Sequence, residues 1–431
     1  MSEDKYDVIV VGAGMAGNAA ALVLARAGLQ VVLIERGPYP GSKNLSGGVL
    51  YGRVLHQLIP DYWEEAPVER FVTNDVVTFM TGDAFVNLDF KTQAFSAPPY
   101  NAFTVLRGKF DRWFAEKAEA AGAMLVPGIR VDKVLREDGK VVGVAAGDEE
   151  IRADVVIAAD GANSFLAQEA GLRSRLPPEQ VGMGVKELIG LPRETIEERF
   201  HLSGNEGAAY SIVGFMTRGV SGGGFLYTNQ DSLSVGLVVN LEELVQAKLK
   251  PGDIFEDFLA HPLLEPLLKD GKLLEYGAHL VAEGGMDMLP RLYTDGMLVA
   301  GDAAGLSVNN GFVIRGMDLA IGSGMAAAET VIEAKARGDF SAQSLGVYRQ
   351  KLESSYVLAD MRTYARAPRF LRNERLYRAY PQILTGLMAR IYDQKALPKE
   401  HLMQAVLHSL KEGRVSLFDL ARDGLNGGRD L

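Results

Sequence analysis

Apolar runs and glycine-rich turns alternate at the start of the chain in the order of a strand, a helix and a second strand. Residues 8–11 and 31–34 are unbroken apolar runs of the kind that forms buried parallel strands. Between them, residues 15–27 are mostly apolar and predict a buried helix that ends at Gly28. This part of the chain therefore predicts a βαβ unit.

The turn between the first strand and the helix carries glycines at a characteristic spacing. Gly12 allows a tight turn, Gly14 lets the backbone approach a pyrophosphate, and Gly17 lets the helix pack closely on the strand. Glu35 ends the second strand, where its carboxylate can accept hydrogen bonds from a ribose. Because all these features agree in order and spacing, a glycine-rich turn without a ligand is the weaker explanation. The predicted nucleotide contacts in this segment are Gly12, Gly14, Met15, Ala16, Gly17, Glu35 and Arg36.

After the βαβ unit, the chain predicts one more long helix and then mostly strands. Residues 106–122 predict an amphipathic helix, 131–144 a hairpin that turns at Asp138-Gly139, and 151–159 another buried strand. Residues 176–280 hold alternating strands joined by turn residues, as in a mostly antiparallel sheet. A second, sheet-rich domain is therefore predicted.

The nucleotide-binding character returns near residue 296. A short apolar strand leads into Gly301-Asp302, and a helix is predicted from Phe312 or Val313 to Ala336. Residues 341–431 predict helices followed by a glycine-rich tail. The predicted limits are 1–75, 105–175 and 281–340 for a discontinuous cofactor domain, 76–104 and 176–280 for the inserted sheet domain, and 341–431 for a C-terminal helical region.

Composition narrows the classes of function. The 431 residues include no cysteine, so the chain predicts no disulfide, no thiolate zinc site and no iron–sulfur cluster of its own. Six histidines without ligand spacing predict no metal site, and the net charge of −10 argues against a nucleic-acid partner.

Membrane insertion is not predicted. No basic region precedes the first strand, so no signal peptide is expected. Residues 8–25 are uncharged and long enough to suggest a transmembrane helix, but the glycine spacing and the polar Asn18 fit a strand followed by a buried helix better. Any membrane contact is therefore expected to be peripheral.

The second half of the cofactor site favours FAD over NAD. FAD is longer than NAD, so later parts of the chain must hold its ribityl chain and isoalloxazine ring. Asp302 follows a buried strand and can accept hydrogen bonds from ribityl hydroxyls, while amides at Gly311 and Phe312 can face the ring if a helix begins there. A simple strand-to-helix turn with an N-cap is the alternative explanation of Gly301-Asp302. The predicted fold class is therefore α/β: a Rossmann-like FAD-binding domain with an inserted antiparallel sheet domain and a C-terminal helical region.

Several segments together resemble a known family. The glycine motif with Glu35, Arg107 at a helix start, Asp160-Gly161 and Gly301-Asp302 resemble flavoproteins of the glutathione-reductase-2 type. More specifically, four segments resemble the electron-transfer-flavoprotein:quinone oxidoreductases of the FixC (EtfC) type, from residue 5 to about residue 420. These segments are 41–48 (GSKNLSGG), 222–227 (GGGFLY), 283–285 (EGG) and 315–320 (RGMDLA). The resemblance adds Ser46, Gly47, Gly48, Arg107, Val131, Asp160, Gly161 and Gly301 to the predicted FAD contacts.

The resemblance implies that FAD is an electron relay. In this family electrons arrive from an electron-transfer flavoprotein, of the FixA/FixB or EtfA/EtfB type, and leave to a membrane quinone. Members with a ferredoxin-like domain carry a cysteine-bound cluster, which this chain cannot hold. FixC-type proteins use a separate ferredoxin-like subunit, FixX or EtfX, so the lack of cysteine fits that type. The resemblance thus implies a peripheral protein at the cytoplasmic face of the membrane, within a bifurcating FixABCX/EtfABCX-type complex.

The quinone contact is expected at a pair of glycines. Gly222 and Gly223 match the family's glycine pair at the quinone headgroup, and glycine permits a close approach in a strand. A bulge in the sheet is the alternative explanation. No acid–base pair is assigned, because proton transfer to a quinone does not strictly require one.

An arginine-rich segment has no motif. Six arginines lie between residues 362 and 378 against one acid, and Pro368 is expected to break any helix that carries them. A salt-bridged surface is one explanation, and docking to an acidic ferredoxin-like subunit or to anionic lipid is the other. The arginines are Arg362, Arg366, Arg369, Arg372, Arg375 and Arg378.

A different class of function uses the same fold. A stand-alone flavoenzyme, such as a geranylgeranyl reductase or an FAD monooxygenase, would act on a small molecule without a protein electron donor. The 222–227 and 315–318 segments favour the quinone oxidoreductase interpretation.

Overall fold

The computed structural model describes residues 5–44 and 47–431, and every structural statement below concerns these residues. The strands are, in chain order, β1 (Tyr6–Val11), β2 (Val31–Glu35), β3 (Gly48–Tyr51), β4 (Val68–Met80), β5 (Phe85–Lys91), β6 (Ala102–Val105), β7 (Met124–Pro127), β8 (Lys133–Glu137), β9 (Lys140–Ala146), β10 (Glu149–Ala158), β11 (Val181–Gly190), β12 (Glu206–Gly214), β13 (Gly222–Thr228), β14 (Ser232–Asn240), β15 (Lys272–Ala282), β16 (Tyr293–Thr294), β17 (Met297–Val299), β18 (Val308–Asn309) and β19 (Ile314–Arg315).

The α-helices are α1 (Met15–Arg26), α2 (Arg53–Leu58), α3 (Arg107–Ala120), α4 (Phe165–Glu169), α5 (Arg193–Phe200), α6 (Leu241–Gln246), α7 (Pro251–Leu259), α8 (Glu265–Leu268), α9 (Met317–Arg337), α10 (Ala342–Leu345), α11 (Val347–Ser354), α12 (Tyr356–Thr363), α13 (Ala367–Phe370), α14 (Ala379–Tyr392), α15 (Leu402–Glu412) and α16 (Leu417–Asp430). Short 3-10 helices occupy Tyr62–Glu64, Gln93–Phe95, Pro178–Gln180, Phe215–Thr217, Gly285–Met288, Gly301–Ala304 and Glu374–Leu376.

One sheet carries the predicted βαβ unit. Its strands run in the order β16-β17-β10-β1-β2-β7, with β1 parallel to both β2 and β10. The central strands are buried, with α1 packed against β1 and β2 and α9 packed against α1, as the unbroken apolar runs in the sequence predict. The predicted βαβ unit is therefore confirmed.

The β8–β9 hairpin has, at its turn, residues that suit the backbone angles of that turn. β8 and β9 pair antiparallel, and both Asp138 and Gly139 between them have positive φ, at 48° and 85°. An aspartate–glycine pair tolerates these angles better than most sequences do, so the predicted hairpin is confirmed.

A second, mixed but mostly antiparallel sheet forms the other wall of the molecule. Its order is β15-β11-β14-β13-β12-β4-β6-β3, with β5 paired to β4, and only β12 and β4 run parallel. Short strands from the first part of the chain, β3 and β6, extend it beyond the segment 176–280. The α/β fold with an inserted sheet and a C-terminal helical region is confirmed, while the predicted domain limits stay a prediction.

The helix predicted from Phe312 or Val313 begins later, so that prediction is wrong. Side-chain oxygens of Asn309 and Asn310 accept hydrogen bonds from the amides of residues 311–313, which folds this stretch into a turn. β18 and β19 pair across that turn, and α9 begins only at Met317.

The C-terminal region also differs from its prediction at the tail. The glycine-rich end of the chain is helical, because α16 begins with a capping box between Ser416 and Asp419 and runs to Asp430. The predicted break at Pro368 is confirmed, since α12 ends at Thr363 and Pro368 lies in the first turn of α13.

One buried carboxylate anchors α16 to the rest of the chain. Asp423 accepts hydrogen bonds from Arg375 (2.6 and 2.7 Å), from Asn373 (2.8 Å) and from Tyr380 (2.7 Å). The Arg375 guanidinium holds the pKa of Asp423 well below its usual range. The stabilisation is therefore complete above about pH 4 and is lost as the pH falls below that value.

We expect Asp423→Asn to loosen α16. The change removes the charge that Arg375 pairs with, at a cost of about 1–3 kcal/mol. Amide hydrogen exchange in residues 417–430 should then accelerate roughly 5- to 150-fold at pH 7. Asp257→Asn is the matched control, because its ion pair with Arg218 is exposed on both sides. Equal protection of α16 in the wild type and Asp423→Asn would show that this carboxylate does not hold the helix.

Candidate functional site

A cavity of about 790 Å³ lies between the two sheets. The carboxyl ends of β1, β2 and β10 line one end of it, and side chains of β11, β13 and β15 line the other. The N-termini of α1 and α9 open into it from the side. Ligands of open α/β sheets bind outside the carboxyl ends of the strands, so this cavity is the candidate site.

The N-terminus of α1 is prepared for an anion. Its N-cap, Gly14, provides no side-chain cap, and the first turn contains no acidic residue. Backbone amides with no partner at a helix N-terminus attract phosphate groups. A side chain on Gly14 would extend into the cavity, where its nearest neighbour is the Arg107 guanidinium at 3.7 Å.

Gly12 and Gly17, the other two glycines of the motif, permit close packing within the fold. A side chain on Gly17 would lie 1.8 Å from the carbonyl oxygen of Gly12, and one on Gly12 would lie 2.3 Å from that of Ala159. Gly12 also has a φ of +101°, which disfavours any other residue. These two glycines therefore permit close packing, and Gly14 alone keeps space open for a ligand.

Glu35 is fixed at the end of β2. Its two carboxylate oxygens accept hydrogen bonds from the amides of Ala13 (3.0 Å) and Gly37 (2.6 Å). A carboxylate has further lone pairs, so Glu35 can still accept hydrogen bonds from ribose hydroxyls. Arg36 lines the same end of the cavity.

Arg107 is held by a buried partner. Its guanidinium binds Asp111 in bidentate fashion, at 2.7 and 2.8 Å, and Asn44 donates to the same carboxylate at 2.9 Å. This network joins the start of α3 to the 41–44 loop. It positions a cation beside Gly14, at the anion-binding end of the cavity.

Two carboxylates line the middle of the cavity. Asp160 accepts hydrogen bonds from the Ser164 hydroxyl and the Leu166 amide, at 3.0 and 3.2 Å. Asp302 opens into the cavity, and the surrounding protein raises its pKa, against the opposing effect of the cations Arg107 and Arg173. Because Asp302 lines the cavity, its carboxyl group could form hydrogen bonds with ligand hydroxyls.

The helix terminus expected at Gly311 lies at Gly316 instead. Gly316 caps α9 without a side-chain partner, and Gly316 and Met317 both line the cavity. The described residues that line it do not include Gly311 or Phe312. The sequence signal for the correct position was already present in the Arg-Gly-Met-Asp segment.

An ion-pair network fixes this helix terminus. Arg315 binds Asp318 at 2.6 Å and Asp360 at 2.5 Å, and Tyr356 donates to the Asp318 carbonyl at 2.6 Å. The Asp318 carboxylate also lies in the first turn of α9, where the helix dipole favours a negative charge.

The sheet wall of the cavity carries aromatic and basic side chains. Phe225 and Tyr227 stack with their ring centroids 4.9 Å apart, and Lys186 and His279 line the same wall. Lys186 has no counterpart among the predicted site residues. Its only signal in the sequence is a lysine inside an apolar strand, Val181–Gly190.

The glycine pair predicted to contact quinone lies outside this wall. The described residues that line the cavity do not include Gly222 or Gly223. A side chain on Gly222 would meet the Val238 carbonyl oxygen at 2.1 Å, and one on Gly223 the Ile212 carbonyl oxygen at 2.8 Å. Packing within the sheet is therefore a sufficient reason for both glycines, and the quinone contact stays a prediction.

Most of the predicted FAD contacts line the cavity, while two of the others pack behind it and one is outside the described residues. Gly17 and Gly301 pack behind the cavity, since a side chain on Gly301 would lie 2.8 Å from the Ala16 side chain. Ser46 lies outside the described residues. The predicted residues that line the cavity are Gly12, Gly14, Met15, Ala16, Glu35, Arg36, Gly47, Gly48, Arg107, Val131, Asp160, Gly161 and Asp302.

The geometry fits FAD. Gly14 leaves the space that a pyrophosphate needs, Glu35 offers a carboxylate for a ribose at the end of β2, and Asp302 lines the same cavity as the second helix terminus. Arg107 and the two helix N-termini supply positive potential along the cavity. The assignments of single residues to parts of FAD stay predictions.

The described residues include neither a group of metal-binding side chains nor a membrane-spanning helix. No three histidine, aspartate or glutamate side chains among them are grouped so as to hold a metal ion. No helix among them is both long and apolar enough to cross a bilayer.

We expect Gly14→Val to lose FAD while keeping the fold. A valine side chain would occupy the pyrophosphate space, so the FAD dissociation constant should rise at least about 100-fold, or about 3 kcal/mol. Fluorescence titration of the apoprotein measures this. Gly252→Val is the control, since a Cβ there has no atom within 4 Å. Gly17→Ala should instead prevent folding, because its side chain would collide with the Gly12 carbonyl. Normal FAD affinity in Gly14→Val would show that Gly14 is not part of the FAD site.

Comparisons with known proteins agree with the geometry. Residues 5–351 match the family model of the FAD binding domain, and residues 367–431 match that of the ETF-QO/FixC family C-terminal domain. A crystal structure of a geranylgeranyl bacteriochlorophyll reductase-like protein from Thermoplasma acidophilum has a TM-score of 0.72 at 23% identity, covering 95% of this chain and 96% of that one. This likeness shows the fold alone.

Curated relatives match the chain along its whole length. A probable electron transfer flavoprotein-quinone oxidoreductase, YdiS of Escherichia coli strain K12, is 46% identical over 431 residues, covering 100% of both chains. Protein FixC of Escherichia coli O157:H7 is 49% identical over 427 residues, covering 99% of each, and protein FixC of Bradyrhizobium diazoefficiens is 39% identical, covering 96% of each. The chain therefore belongs to the FixC/electron-transfer-flavoprotein:quinone oxidoreductase family of FAD-dependent oxidoreductases.

Proposed function

We propose that the chain accepts electrons from an electron-transfer flavoprotein and passes them through FAD to a membrane quinone. The observation that carries the proposal is the end-to-end similarity to YdiS, whose name states this activity, together with a cavity that has a nucleotide end and an aromatic end. FAD, when bound, supplies the electron chemistry. The chain supplies binding, orientation and charge.

Different parts of the cavity would bind different parts of FAD and the quinone ring. The α1 terminus and Arg107 would bind the pyrophosphate, Glu35 would bind the adenosine ribose, and Asp302 would bind the ribityl chain. The stacked rings of Phe225 and Tyr227 offer a flat apolar surface for a quinoid ring at the opposite end. The glycine pair at 222–223, on the same strand, is a less direct candidate, because neither glycine is among the described residues that line the cavity.

An iron–sulfur partner is part of the proposal. The sequence contains no cysteine, so a thiolate-bound cluster would have to belong to another subunit. We propose a small ferredoxin-like subunit of the FixX/EtfX type, alongside FixA/FixB- or EtfA/EtfB-type electron donors, in a FixABCX/EtfABCX-type bifurcating complex.

Three of the six arginines offer a docking surface for that subunit. Arg362 pairs with Glu353 at 2.7 Å, Arg375 with Asp423 and Arg378 with Glu374 at 3.0 Å, so half the cluster forms a salt-bridged surface. Arg366, Arg369 and Arg372 are exposed, and the closest carboxylate recorded for them lies 3.9 Å from Arg366. Exposed cations attract an acidic partner over distances of about 10 Å at moderate salt.

A membrane contact is proposed beside the cavity. Phe312 (57% exposed) and Ile314 (48%) project from the β18–β19 hairpin, and Ile314 also lines the cavity. The end of α16 packs near that hairpin, since a side chain on Gly311 would meet Leu431. On α16 itself, Phe418 (74%) and Leu425 (77%) are exposed. These side chains support peripheral binding to the cytoplasmic face of a membrane, where quinone is dissolved.

We expect quinone reduction to depend on the protein donor. The FAD-loaded chain should reduce a short-chain quinone analogue when an electron-transfer flavoprotein of the FixA/FixB type is supplied in reduced form. NADH alone should give at most about 1% of that rate, because the flavin would then lack its electron donor. Anaerobic absorbance spectroscopy measures both rates, with Gly14→Val as the control without FAD. Equal rates with NADH alone would favour a stand-alone flavoenzyme.

We expect charge reversal at the exposed arginines to weaken partner binding. Arg366→Glu with Arg369→Glu should raise the dissociation constant for the ferredoxin-like subunit at least about tenfold at low salt and reduce its salt dependence. Lys133→Glu with Arg136→Glu makes the same charge change on the distant β8–β9 hairpin and serves as the control. Equal effects of both pairs would mean that total charge, and not this surface, governs the association.

A further inference from the structure

Lys186 is a basic side chain in the cavity that the proposed function does not use. It lies on β11, in the sheet wall, and its side-chain nitrogen donates a hydrogen bond to the carbonyl oxygen of Gly47. The neutral amine has one further N–H and a lone pair for the cavity, and the protonated form has two further N–H donors. Gly47 lies directly before β3, where Gly48 and Val49 also line the cavity.

Neighbouring strands leave room for this side chain. In register, Lys186 lies between Gly236 on β14 and Gly277 on β15, so neither neighbour carries a side chain. The Phe225 ring occupies the space over Gly236, where a Cβ would lie 2.4 Å from the ring. The Lys186 ammonium is 5.8 Å from the centre of that ring, a distance at which a cation is attracted to an aromatic face.

The position also places Lys186 near the second helix terminus. A side chain on Gly48 would lie 3.0 Å from the Met317 methyl group, so β3 and the start of α9 meet at this part of the cavity. A ring held between the start of α9 and the sheet wall would therefore lie beside Lys186.

We propose that Lys186 takes up a proton when the ring system held against it gains electrons, and that it thereby compensates the new negative charge. In this step two electrons come from the donor and two protons come from solvent: one would be taken up by the ring system itself, and the other converts the neutral amine of Lys186 into an ammonium. No other bond forms or breaks at the lysine. The inference rests on the proposed function only in requiring FAD in this cavity.

The electrostatic surroundings support a change of charge at this lysine. Burial, assisted by the positive charge of Arg107, lowers the pKa of Lys186 to about 7, while Glu275 on β15 opposes this shift. Tyr227 on β13 and His279 on β15 are the other titratable groups on the same wall. Above pH 7 the amine is mostly neutral, and a nearby negative charge raises its pKa, so reduction is coupled to proton uptake.

The test is the pH dependence of the reduction potential of the bound FAD, with dithionite as reductant. Between about pH 7 and pH 9, the wild type should take up about one more proton per electron pair than Lys186→Met. Lys186→Arg keeps a permanent charge, so it should lose the extra proton as well, yet hold electrons more tightly than Lys186→Met at every pH. Lys272→Met, on the exposed start of β15, is the matched control and should behave as the wild type.

Two further measurements, proton uptake and FAD content, show whether an effect comes from the lysine or from a poorly folded variant. Proton uptake by the wild type on reduction can be followed with an indicator dye in weak buffer, and FAD content reports the fold of each variant. The same proton count in the wild type and in a folded, FAD-loaded Lys186→Met protein would overturn the inference. Because dithionite replaces the protein donor and no quinone is added, this outcome is separate from any failure of electron transfer from an electron-transfer flavoprotein.

Discussion

Close packing between α1 and α9 is the constraint on which the rest of the site depends. A side chain on Gly324 of α9 would lie 2.2 Å from the Ala16 carbonyl oxygen in α1, and one on Gly17 of α1 would lie 1.8 Å from Gly12. Glycine at these positions lets the two helices and the end of β1 approach one another closely. As a result, two helix N-termini open into one cavity and give it a positive potential.

The second sheet contributes different chemical groups to the cavity from those of the first sheet. The carboxyl ends of parallel strands offer backbone amides and carboxylates, which suit a nucleotide. The face of β11, β13 and β15 that lines the cavity offers rings and a lysine, which suit a flat ring that changes charge. The proposed electron transfer would use both walls, which a nucleotide-binding sheet alone does not provide.

Sequence analysis succeeded where the determining contacts are local. The βαβ unit, the Asp138-Gly139 hairpin and the break at Pro368 all depend on residues a few positions apart, and all are confirmed. The start of α9 was predicted four or five residues too early, because Asn309 and Asn310 bind the next amides and form a turn. Lys186 was missed because its environment comes from Gly47, Gly236 and Gly277, which are far from it in the chain.

We propose that the flavin ring lies between the start of α9 and the sheet wall. A crystal structure of the FAD-loaded protein would locate the ring. We expect the isoalloxazine ring within hydrogen-bond or van der Waals distance of Gly316, Met317 and Lys186, with the pyrophosphate at Gly14. A ring that contacts the exposed Phe165 and neither Met317 nor Lys186 would show that this placement is wrong.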